Sequence, residues 1–300
     1  MVEQIDFSSK DIIIHPNFIY NRIDTFSKNC IFLHVQNNAN DYYLEMQLFD
    51  KHAILGVWMM VVTGVEFDEI TKFIFNKYGG IEYVSFYFAI SDRIYKAEKH
   101  YHVNLPDTYE ELKGRLSSKS RNTMSRKKKK AELDYGRITM VEYENESISD
   151  SVVSEYFEMK EKTNHVSYNM TSKEYIERYH VSNIYIMYLG DRVAAMILTC
   201  EQCPIAYLEN LTYDLTFSRY SPGLIAYEMV MERLISKGKK VFYLGGGDYD
   251  YKKKYDSVET IVTEGKIYKS WPVEIKYKWI EFYNKHLYWK IKSIRKRLFP

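Results

Sequence analysis

Two short turns in the second half of the sequence contain the residues best suited to bind an anion. Residues 221–223, Ser-Pro-Gly, begin a predicted helix over residues 222–237. Serine is favoured at the cap of a helix and proline at its first position. The first N–H groups of such a helix have no partner within it and lie at the positive end of its dipole. This helix start predicts a pyrophosphate site, although an ordinary helix cap would use the same residues.

Two predicted strands, one before this helix and one after it, lead toward the same place. The strand at 205–213 precedes the helix, and the strand at 240–244 follows it and ends in Gly-Gly-Gly-Asp at 245–248. We expect these strands to be neighbours in a sheet. If they splay apart, a narrow ligand can insert between them and pair with the exposed backbone groups.

The composition is that of a globular protein and excludes several classes. The 300 residues are 46% hydrophobic and 27% charged, and the net charge of +2 is too small for a polyelectrolyte binder. Three cysteines are too few for a disulfide framework and favour a reducing compartment. The sequence has no recognisable signal peptide and no apolar run of about 18 residues, so we predict a cytoplasmic protein.

The hydrophobic spacing predicts an α/β fold with two similar halves, each with a mixed central sheet flanked by helices. We divide the chain into an N-terminal half at 1–105, basic connecting helices at 106–136, a C-terminal half at 137–272 and a C-terminal helix at 273–300. In the connecting part, Asp107 is predicted to cap the first helix, and the second is predicted to end at Gly136.

The segment 213–255 resembles the C-terminal signature of the GNAT acyltransferase superfamily, and most closely its polysaccharide-linked CelD/BcsL-type acetyltransferases. The matching positions are Tyr213, Asp214, Arg219, Tyr220, Ser221, Pro222, Gly223, Lys237, Gly238, Gly247, Asp248, Tyr251 and Lys252. The second connecting helix resembles the Arg-rich helix of that group, with Arg121 and Asn122 at its Arg-Asn pair. Tyr243 departs from the pattern, because the group often has an acidic residue there. The resemblance implies two GNAT-like halves, with the cofactor site in the second.

The resemblance also implies that acetyl-CoA, or another acyl-CoA, is the co-substrate. The candidate cofactor-binding residues, at the helix start, are Arg219, Ser221, Gly223, Leu224 and Ile225. Acyl transfer to an amine needs a base for the amine and an acid for the leaving thiolate. Glu209 is the candidate base, and either Tyr249 or Tyr251 is the candidate acid. Asp248 is expected to orient Lys252 or to bind the acceptor.

The implied acceptor is an amino sugar or another saccharide precursor of cell-envelope polysaccharides. Arg121, Arg126 and Lys252 are the candidate contacts to such an acceptor, for instance a nucleotide sugar. A FemAB-like aminoacyltransferase, which would use aminoacyl-tRNA, is the alternative enzyme. A basic nucleic-acid-binding protein is the alternative from another class, because four lysines follow one another at 127–130. The favoured function expects no nucleic-acid partner.

Other residues with chemical potential are assigned weaker roles. His165 and His180 are alternative bases, although each is more typical of a structural or surface histidine. Cys200 and Cys203 have CxxC spacing but lack a second pair, so we expect no metal site.

The C-terminal segment combines cations with regularly spaced apolar groups. From residue 276 on it has eight Lys or Arg residues and one acid, Glu281. Large apolar residues recur at nearly helical spacing. The apolar face of this helix either packs on the second half or lies in the interface of the inner membrane face.

Overall fold

The computed structural model describes residues 1–5, 30–36, 41–56, 61–62, 64–91, 96–179, 181–202, 204–247 and 249–287. The chain forms two compact units, one made of residues 1–96 and 263–300 and the other of residues 97–262. Each unit has a mixed sheet and helices that pack on it, which confirms the predicted fold class. The four-part division of the chain stays a prediction.

The first unit is built mainly from the N-terminal part of the chain. Its elements are β1 (Val2–Ile5), β2 (Cys30–Gln36), β3 (Asp41–Leu48), β4 (His52–Leu55), β5 (Val61–Val62), α1 (Gly64–Lys77) and β6 (Tyr83–Ser91). The strands lie in the order β1-β2-β3-β4-β6, and β6 runs parallel to both β4 and β5. The apolar face of α1 buries Phe67, Ile70 and Ile74 against strand residues such as Leu44.

The second unit contains a six-stranded sheet with helices on both faces. Its elements are β7 (Lys96–Asn104), α2 (Tyr109–Gly114), α3 (Ser118–Tyr135), β8 (Ile138–Glu144), α4 (Asp150–Asn164), α5 (Ser172–Tyr179), β9 (Asn183–Leu189), β10 (Arg192–Gln202), β11 (Ile205–Tyr213), α6 (Pro222–Ser236) and β12 (Val241–Gly246). The strand order is β8-β9-β10-β11-β12-β7. All neighbours are antiparallel except β11 and β12, which are parallel and are connected by α6.

Alternate residues of β8, β9 and β10 enter two different cores. In β9, Tyr185 and Met187 pack in the cluster that contains α6, whereas Ile184 and Ile186 pack with α4 and α5. This division follows from the two-residue period of a strand. The sheet is therefore buried on both faces at these strands. The segments that connect the strands can place polar groups at fixed positions along them.

The chain returns to the first unit through β13 (Val258–Tyr268), whose residues from Thr263 on pair antiparallel with β6. It then forms α7 (Trp271–Phe282) and a short π-helical turn, Tyr283–Leu287. Within the described helix α7 no residue is buried, and Trp279 is 64% exposed. None of the helices in the described ranges is both long enough and apolar enough to cross a bilayer.

Several local predictions are confirmed and one is wrong. The two connecting helices are present, and α3 ends at Gly136, whose φ of 97° suits glycine. The first of them is capped by Thr108, whose hydroxyl accepts from the N–H of Glu111 at 3.3 Å. Asp107, the predicted cap, instead accepts a hydrogen bond from Lys240 at 2.6 Å. Both residue types cap helices well, so the sequence leaves the choice between adjacent positions open.

Candidate functional site

β11 and β12 are paired over a short distance only. Their parallel register covers three residue pairs and ends with Tyr207 opposite Tyr243. β11 continues to Tyr213 and β12 to Gly246, and in the described part of these strands they are not paired with each other beyond that point. The two strands therefore separate into a fork. The edges inside the fork present backbone groups that the facing strand does not use.

A β-bulge lies in each strand of the fork, next to the point of separation. β11 pairs Leu208 with Thr199 and Asn210 with Leu198 of β10, so Glu209 is an extra residue in the ladder. β12 likewise has an extra residue, Leu244, in its pairing with β7. A bulge bends its strand and increases the local twist. Two bulges at the same level explain why the strands diverge there, and they place Glu209 at the opening of the fork.

The chain enters α6 from β11 through a 3₁₀ turn, Leu215–Tyr220. Ser221 has a left-handed backbone with φ 57° and ψ 57°, and Pro222 occupies the first helical position as predicted. The N–H groups of Leu224 and Ile225 donate to the carbonyl of Ser221 at 3.0 and 3.2 Å. The hydroxyl of Ser221 makes no capping hydrogen bond to the helix. That oxygen is instead available to another element of the unit.

The start of α6 lies very close to β11, and Gly223 makes this approach feasible. A Cβ atom at Gly223 would lie 3.1 Å from both Leu211 Cδ2 and Tyr213 Cδ1. Such contacts are tighter than normal packing, so a larger residue would push helix and strand apart. Gly223 therefore sets the distance between the fork strand β11 and the positive end of α6. Glycine is needed at this position for that close packing as well as for the access of a ligand.

The basic helix α3 packs against the turn that leads into α6. The Lys127 ammonium donates to the Ser221 hydroxyl, and Lys128 forms an ion pair with the buried Glu228 of α6 at 3.0 Å. At the other end of α3, Asp134 accepts from Arg219 at 3.1 Å and also from the hydroxyl of Tyr220. The structure thus brings a lysine ammonium to the residue that begins α6, which adds positive charge to the helix end. Sequence reasoning assigned this basic helix to the acceptor and missed Lys127 as a contact of the helix start.

The glycine run at the end of β12 is held by a buried lysine. Lys252 is 4% exposed, and its ammonium donates to the carbonyls of Gly245, at 3.2 Å, and of Gly246. The Tyr249 ring covers Gly247, where an added Cβ would lie 2.7 Å from the ring. Gly247 has a φ of 92°, which suits glycine. Lys252 therefore has a structural task at this turn, and a contact with the acceptor stays a prediction.

The two candidate acids beside this turn differ in their surroundings. Tyr249 is 60% exposed, whereas Tyr251 is half-buried and stacks on it with ring centroids 6.0 Å apart. Burial raises the pKa of Tyr251 to about 12, and the nearby Tyr249 adds to the effect. Tyr251 therefore keeps its proton at neutral pH. Asp248, which was assigned to the same turn, lies outside the described residues.

The two arginines assigned to the acceptor have different environments. The guanidinium of Arg121 donates to the carbonyls of Lys113, Gly114 and Leu116, at 3.3, 3.3 and 2.7 Å. These are the last carbonyls of α2 and the loop after it, so Arg121 holds the α2–α3 connection. Arg126 is exposed on the outer side of α3. Their roles in acceptor binding stay predictions.

Of the other candidates, the structure describes His165 and Cys200. His165 is exposed and ends α4 in a left-handed conformation with φ 54°. His180 and Cys203 lie outside the described residues, and Cys200 is buried. Among the residues that the structure describes, no group of three or more His, Cys, Asp or Glu side chains could hold a metal ion.

A histidine that sequence reasoning missed lies beside the fork. His100 of β7 and Tyr243 of β12 are 1% and 2% exposed, and Nδ1 of His100 is hydrogen-bonded to the hydroxyl of Tyr243. Nε2 of His100 lies 3.5 Å from a carboxylate oxygen of Glu98. The alternation of His100 and His102 with Tyr101 and Val103 was the available signal, since it is typical of a strand with one polar face.

The second unit, with its fork, the bulge at the opening and the helix that starts after β11, has a GNAT-like fold. Residues 118–253 match the family model described as "Acetyltransferase (GNAT) domain". This part of the chain therefore carries a GNAT domain, as acyltransferase enzymes do. No curated protein matches the chain. The narrower resemblance to the CelD/BcsL-type group stays a prediction.

Solved structures resemble the chain over most of its length. FemX has a TM-score of 0.62 at 8% identity, covering 90% of this chain and 98% of that chain. The C-terminal domain of a putative lysylphosphatidylglycerol synthetase from Agrobacterium fabrum has a TM-score of 0.54 at 11% identity, covering 92% and 94%. A conserved protein of unknown function from Bacteroides thetaiotaomicron has a TM-score of 0.56 at 11% identity, covering 90% and 100%. Identities this low demonstrate a common fold and nothing about substrates.

Proposed function

We propose that the second unit transfers an acetyl group from acetyl-CoA to the amine or hydroxyl of an amino sugar or another saccharide precursor. The observation that carries the proposal is the fork, in which the pairing of β11 with β12 ends at Tyr207 and Tyr243 immediately before the bulge at Glu209. A thioester attached to a linear chain with amide groups suits such a fork. Its amides can hydrogen-bond to the unpaired strand edges as an added strand would.

The start of α6 supports binding of the diphosphate of CoA. Gly223 keeps this helix end close to β11, and the ammonium of Lys127 lies at the Ser221 hydroxyl. A diphosphate would gain from the helix dipole and from the lysine charge, whereas the N–H groups of Leu224 and Ile225 already donate to the Ser221 carbonyl. Arg219, Leu224 and Ile225 complete the proposed cofactor-binding residues.

The chemistry requires that an amine acceptor loses two protons. At neutral pH it arrives as an ammonium ion, so one proton must leave before the nitrogen can attack the acyl carbon. We assign this first proton to Glu209, directly or through water, because the bulge places it at the opening of the fork. When the C–S bond breaks, the sulfur leaves as a thiolate, and the protonated hydroxyl of Tyr251 or of Tyr249 is the proposed acid.

Calorimetric titration of the purified chain with acetyl-CoA tests the proposal. We expect saturable binding with one site per chain, and we expect free CoA to compete for it. A mass-spectrometric search for co-purified CoA is a second test. If the protein is folded but binds neither acetyl-CoA nor CoA at millimolar concentration, the proposed co-substrate is wrong.

A FemAB-like aminoacyl transfer is the second candidate. It is supported by the FemX-like fold over 90% of the chain and by the exposed cations Arg126, Lys129 and Lys130 on the outer side of α3. This function predicts binding of aminoacyl-tRNA with a steep dependence on salt. Tight binding of aminoacyl-tRNA with no binding of acetyl-CoA would favour it over the first candidate.

A further inference from the structure

Three polar side chains form a continuous chain of contacts from the fork toward solvent. The hydroxyl of Tyr243 is hydrogen-bonded to Nδ1 of His100, and Nε2 of His100 lies 3.5 Å from Oε2 of Glu98. Tyr243 and His100 are almost fully buried, whereas the Glu98 side chain is 50% exposed. Glu98, His100 and Tyr243 are called the relay below. Its order links a buried hydroxyl to a carboxylate that water can reach.

The backbone of β12 is adapted to the relay. A Cβ atom at Gly246 would lie 2.2 Å from Oε1 of Glu98 and 2.9 Å from Nε2 of His100. Any side chain at this position would displace one or both groups. Gly246 therefore provides the space in which the imidazole and the carboxylate meet, and this explains one glycine of the run at the end of β12.

The relay lies on the side of the sheet that faces away from α6. Phe242 and Leu244, the neighbours of Tyr243 in β12, are both buried in the core that contains α6. Because strand residues alternate, Tyr243 points to the opposite face. Tyr243 is also the last residue of β12 that pairs with β11, so it flanks the fork at the point where the strands part.

The burial of His100 and Tyr243 as a polar pair requires an explanation. Burial of an imidazole and a phenol costs desolvation free energy that an apolar pair of the same size would not cost. We assign His100 to the Nε2–H tautomer, in which Nδ1 accepts from the Tyr243 hydroxyl and Nε2–H lies on the side of the Glu98 carboxylate, 3.5 Å away. That tautomer is the one in which His100 can take a proton from Tyr243.

We propose that Tyr243 is a catalytic residue that removes the second proton of the acceptor, and that His100 and Glu98 are positioning residues that accept and stabilise the charge. This inference rests on the proposed acyl transfer. As the acceptor nitrogen bonds to the acyl carbon, its proton moves to Oη of Tyr243, and the hydroxyl proton of Tyr243 moves to Nδ1 of His100. The C–S bond breaks, and its electron pair leaves with the sulfur, which takes a proton from Tyr251.

The protons balance over one turnover. After the products leave, the imidazolium of His100 passes the Nδ1 proton back to Tyr243, whose own hydroxyl proton goes to water in the fork, so His100 keeps its Nε2–H beside Glu98. Tyr251 regains a proton from solvent. An ammonium acceptor thus yields an amide, the thiol of CoA and one released proton. The relay would serve a basic amine as the acceptor, because the second proton of such an amine must leave during bond formation.

The first test separates the chemistry from cofactor binding. Tyr243→Phe keeps the ring and removes the hydroxyl, and His100→Asn keeps a polar group near Nδ1 but cannot take a proton at neutral pH. Thiol release from saturating acetyl-CoA is measured with glucosamine as the amine probe, and acetyl-CoA affinity by calorimetry. Both variants should lose turnover by about 100-fold with an affinity within about twofold of the unchanged chain. Tyr227→Phe, a buried tyrosine of α6, is the matched control and should retain both.

The second test needs no acceptor. The imidazole nitrogens of His100 are followed by NMR over pH, and their signals are assigned by their absence in His100→Asn. Loss of the hydroxyl that donates to Nδ1 destabilises the neutral imidazole, so in Tyr243→Phe the titration of His100 should move up by roughly half a pH unit. His102, the other imidazole on this face, has a pKa lowered by burial and serves as the internal reference.

The outcomes distinguish the relay from the function on which it rests. No binding of acetyl-CoA by the unchanged chain would reject the proposed function. Normal binding with unaltered turnover in Tyr243→Phe would reject the relay alone. An unaltered titration of His100 in Tyr243→Phe would also reject the relay, whether or not glucosamine is an acceptor.

Discussion

Replacing Lys127 by methionine is expected to weaken acetyl-CoA binding by about 10- to 100-fold. The side chain is half-buried, and its ammonium donates to the Ser221 hydroxyl at the start of α6. Methionine has a similar length and no charge, so it removes the cation and preserves much of the packing. The change therefore tests the charge at the helix end rather than the shape of the site.

The magnitude follows from the electrostatics of the site. The attraction between a single positive charge and a phosphate about 4 Å away is about 4 kcal/mol at an effective dielectric constant of about 20. Partial exposure of the lysine lowers this value, and a hydrogen bond to a charged group contributes about 1.5–3 kcal/mol. Since about 1.4 kcal/mol corresponds to a tenfold change in Kd, a loss of about 1.5–3 kcal/mol predicts acetyl-CoA binding that is weaker by about 10- to 100-fold.

Calorimetric titration at two salt concentrations is the assay, with the melting temperature as the control for folding. Lys129→Met is the matched control, because Lys129 is exposed on the same helix. We expect the control to bind acetyl-CoA with nearly unchanged affinity, and Lys127→Met to show a weaker salt dependence than the unchanged chain. Equal affinities of Lys127→Met and the unchanged chain would refute the assignment of the diphosphate to this helix start. So would an equal loss in Lys129→Met.

Four further outcomes are expected. Glu209→Gln should lower turnover and leave the acetyl-CoA Kd unchanged. The pH optimum should move upward, because the amine must then lose its first proton to solvent, and full turnover at neutral pH would argue against this base. Gly223→Ala should lower the free energy of unfolding by about 1–3 kcal/mol in calorimetric melting, because its Cβ overpacks the α6–β11 contact. Arg121→Ala should lower stability by about 1–3 kcal/mol with acetyl-CoA affinity intact, and a loss of turnover without a loss of stability would instead support acceptor binding. The double variant Trp279→Glu, Phe282→Glu should abolish co-sedimentation with phosphatidylglycerol vesicles, since both side chains are exposed on α7. Neutral vesicles are the control, and no sedimentation of the unchanged chain with phosphatidylglycerol vesicles would exclude a membrane contact.

Local patterns predicted the elements around the fork well. The start of α6 and the end of α3 are marked by residues with strong positional preferences. Proline at 222 fixes φ at the first helical position, and glycine at 136 tolerates the positive φ that follows the helix. The strands on either side of α6 each begin with four apolar residues, at 205–208 and at 241–244, as expected for strands in the interior of a sheet. These features depend on neighbours in sequence, so one sequence is enough to find them.

The residues that complete the site depend on contacts across the chain. His100 and Tyr243 are 143 positions apart, and Lys127 and Ser221 are 94 apart. No local pattern indicates that these pairs meet. The bulge at Glu209 is equally invisible, because the extra residue is defined by the register of β10 against β11. Glu209 was selected for its place on the strand, and the reason for its position beside the opening of the fork came from the pairing.

The run of four lysines in α3 shows how one pattern can serve two purposes. Consecutive helical residues are separated by about 100°, so the four side chains cannot share one face. Lys127 and Lys128 turn toward α6, where they meet Ser221 and the buried Glu228. Lys129 and Lys130 remain exposed and line a surface depression of α3 together with Arg126. The inner pair therefore belongs to the cofactor end of the site, while the outer cations are the ones that an anionic acceptor or a tRNA could contact. A nucleic-acid-binding function based on all four lysines is disfavoured for this reason, because half of the charge is already used within the second unit.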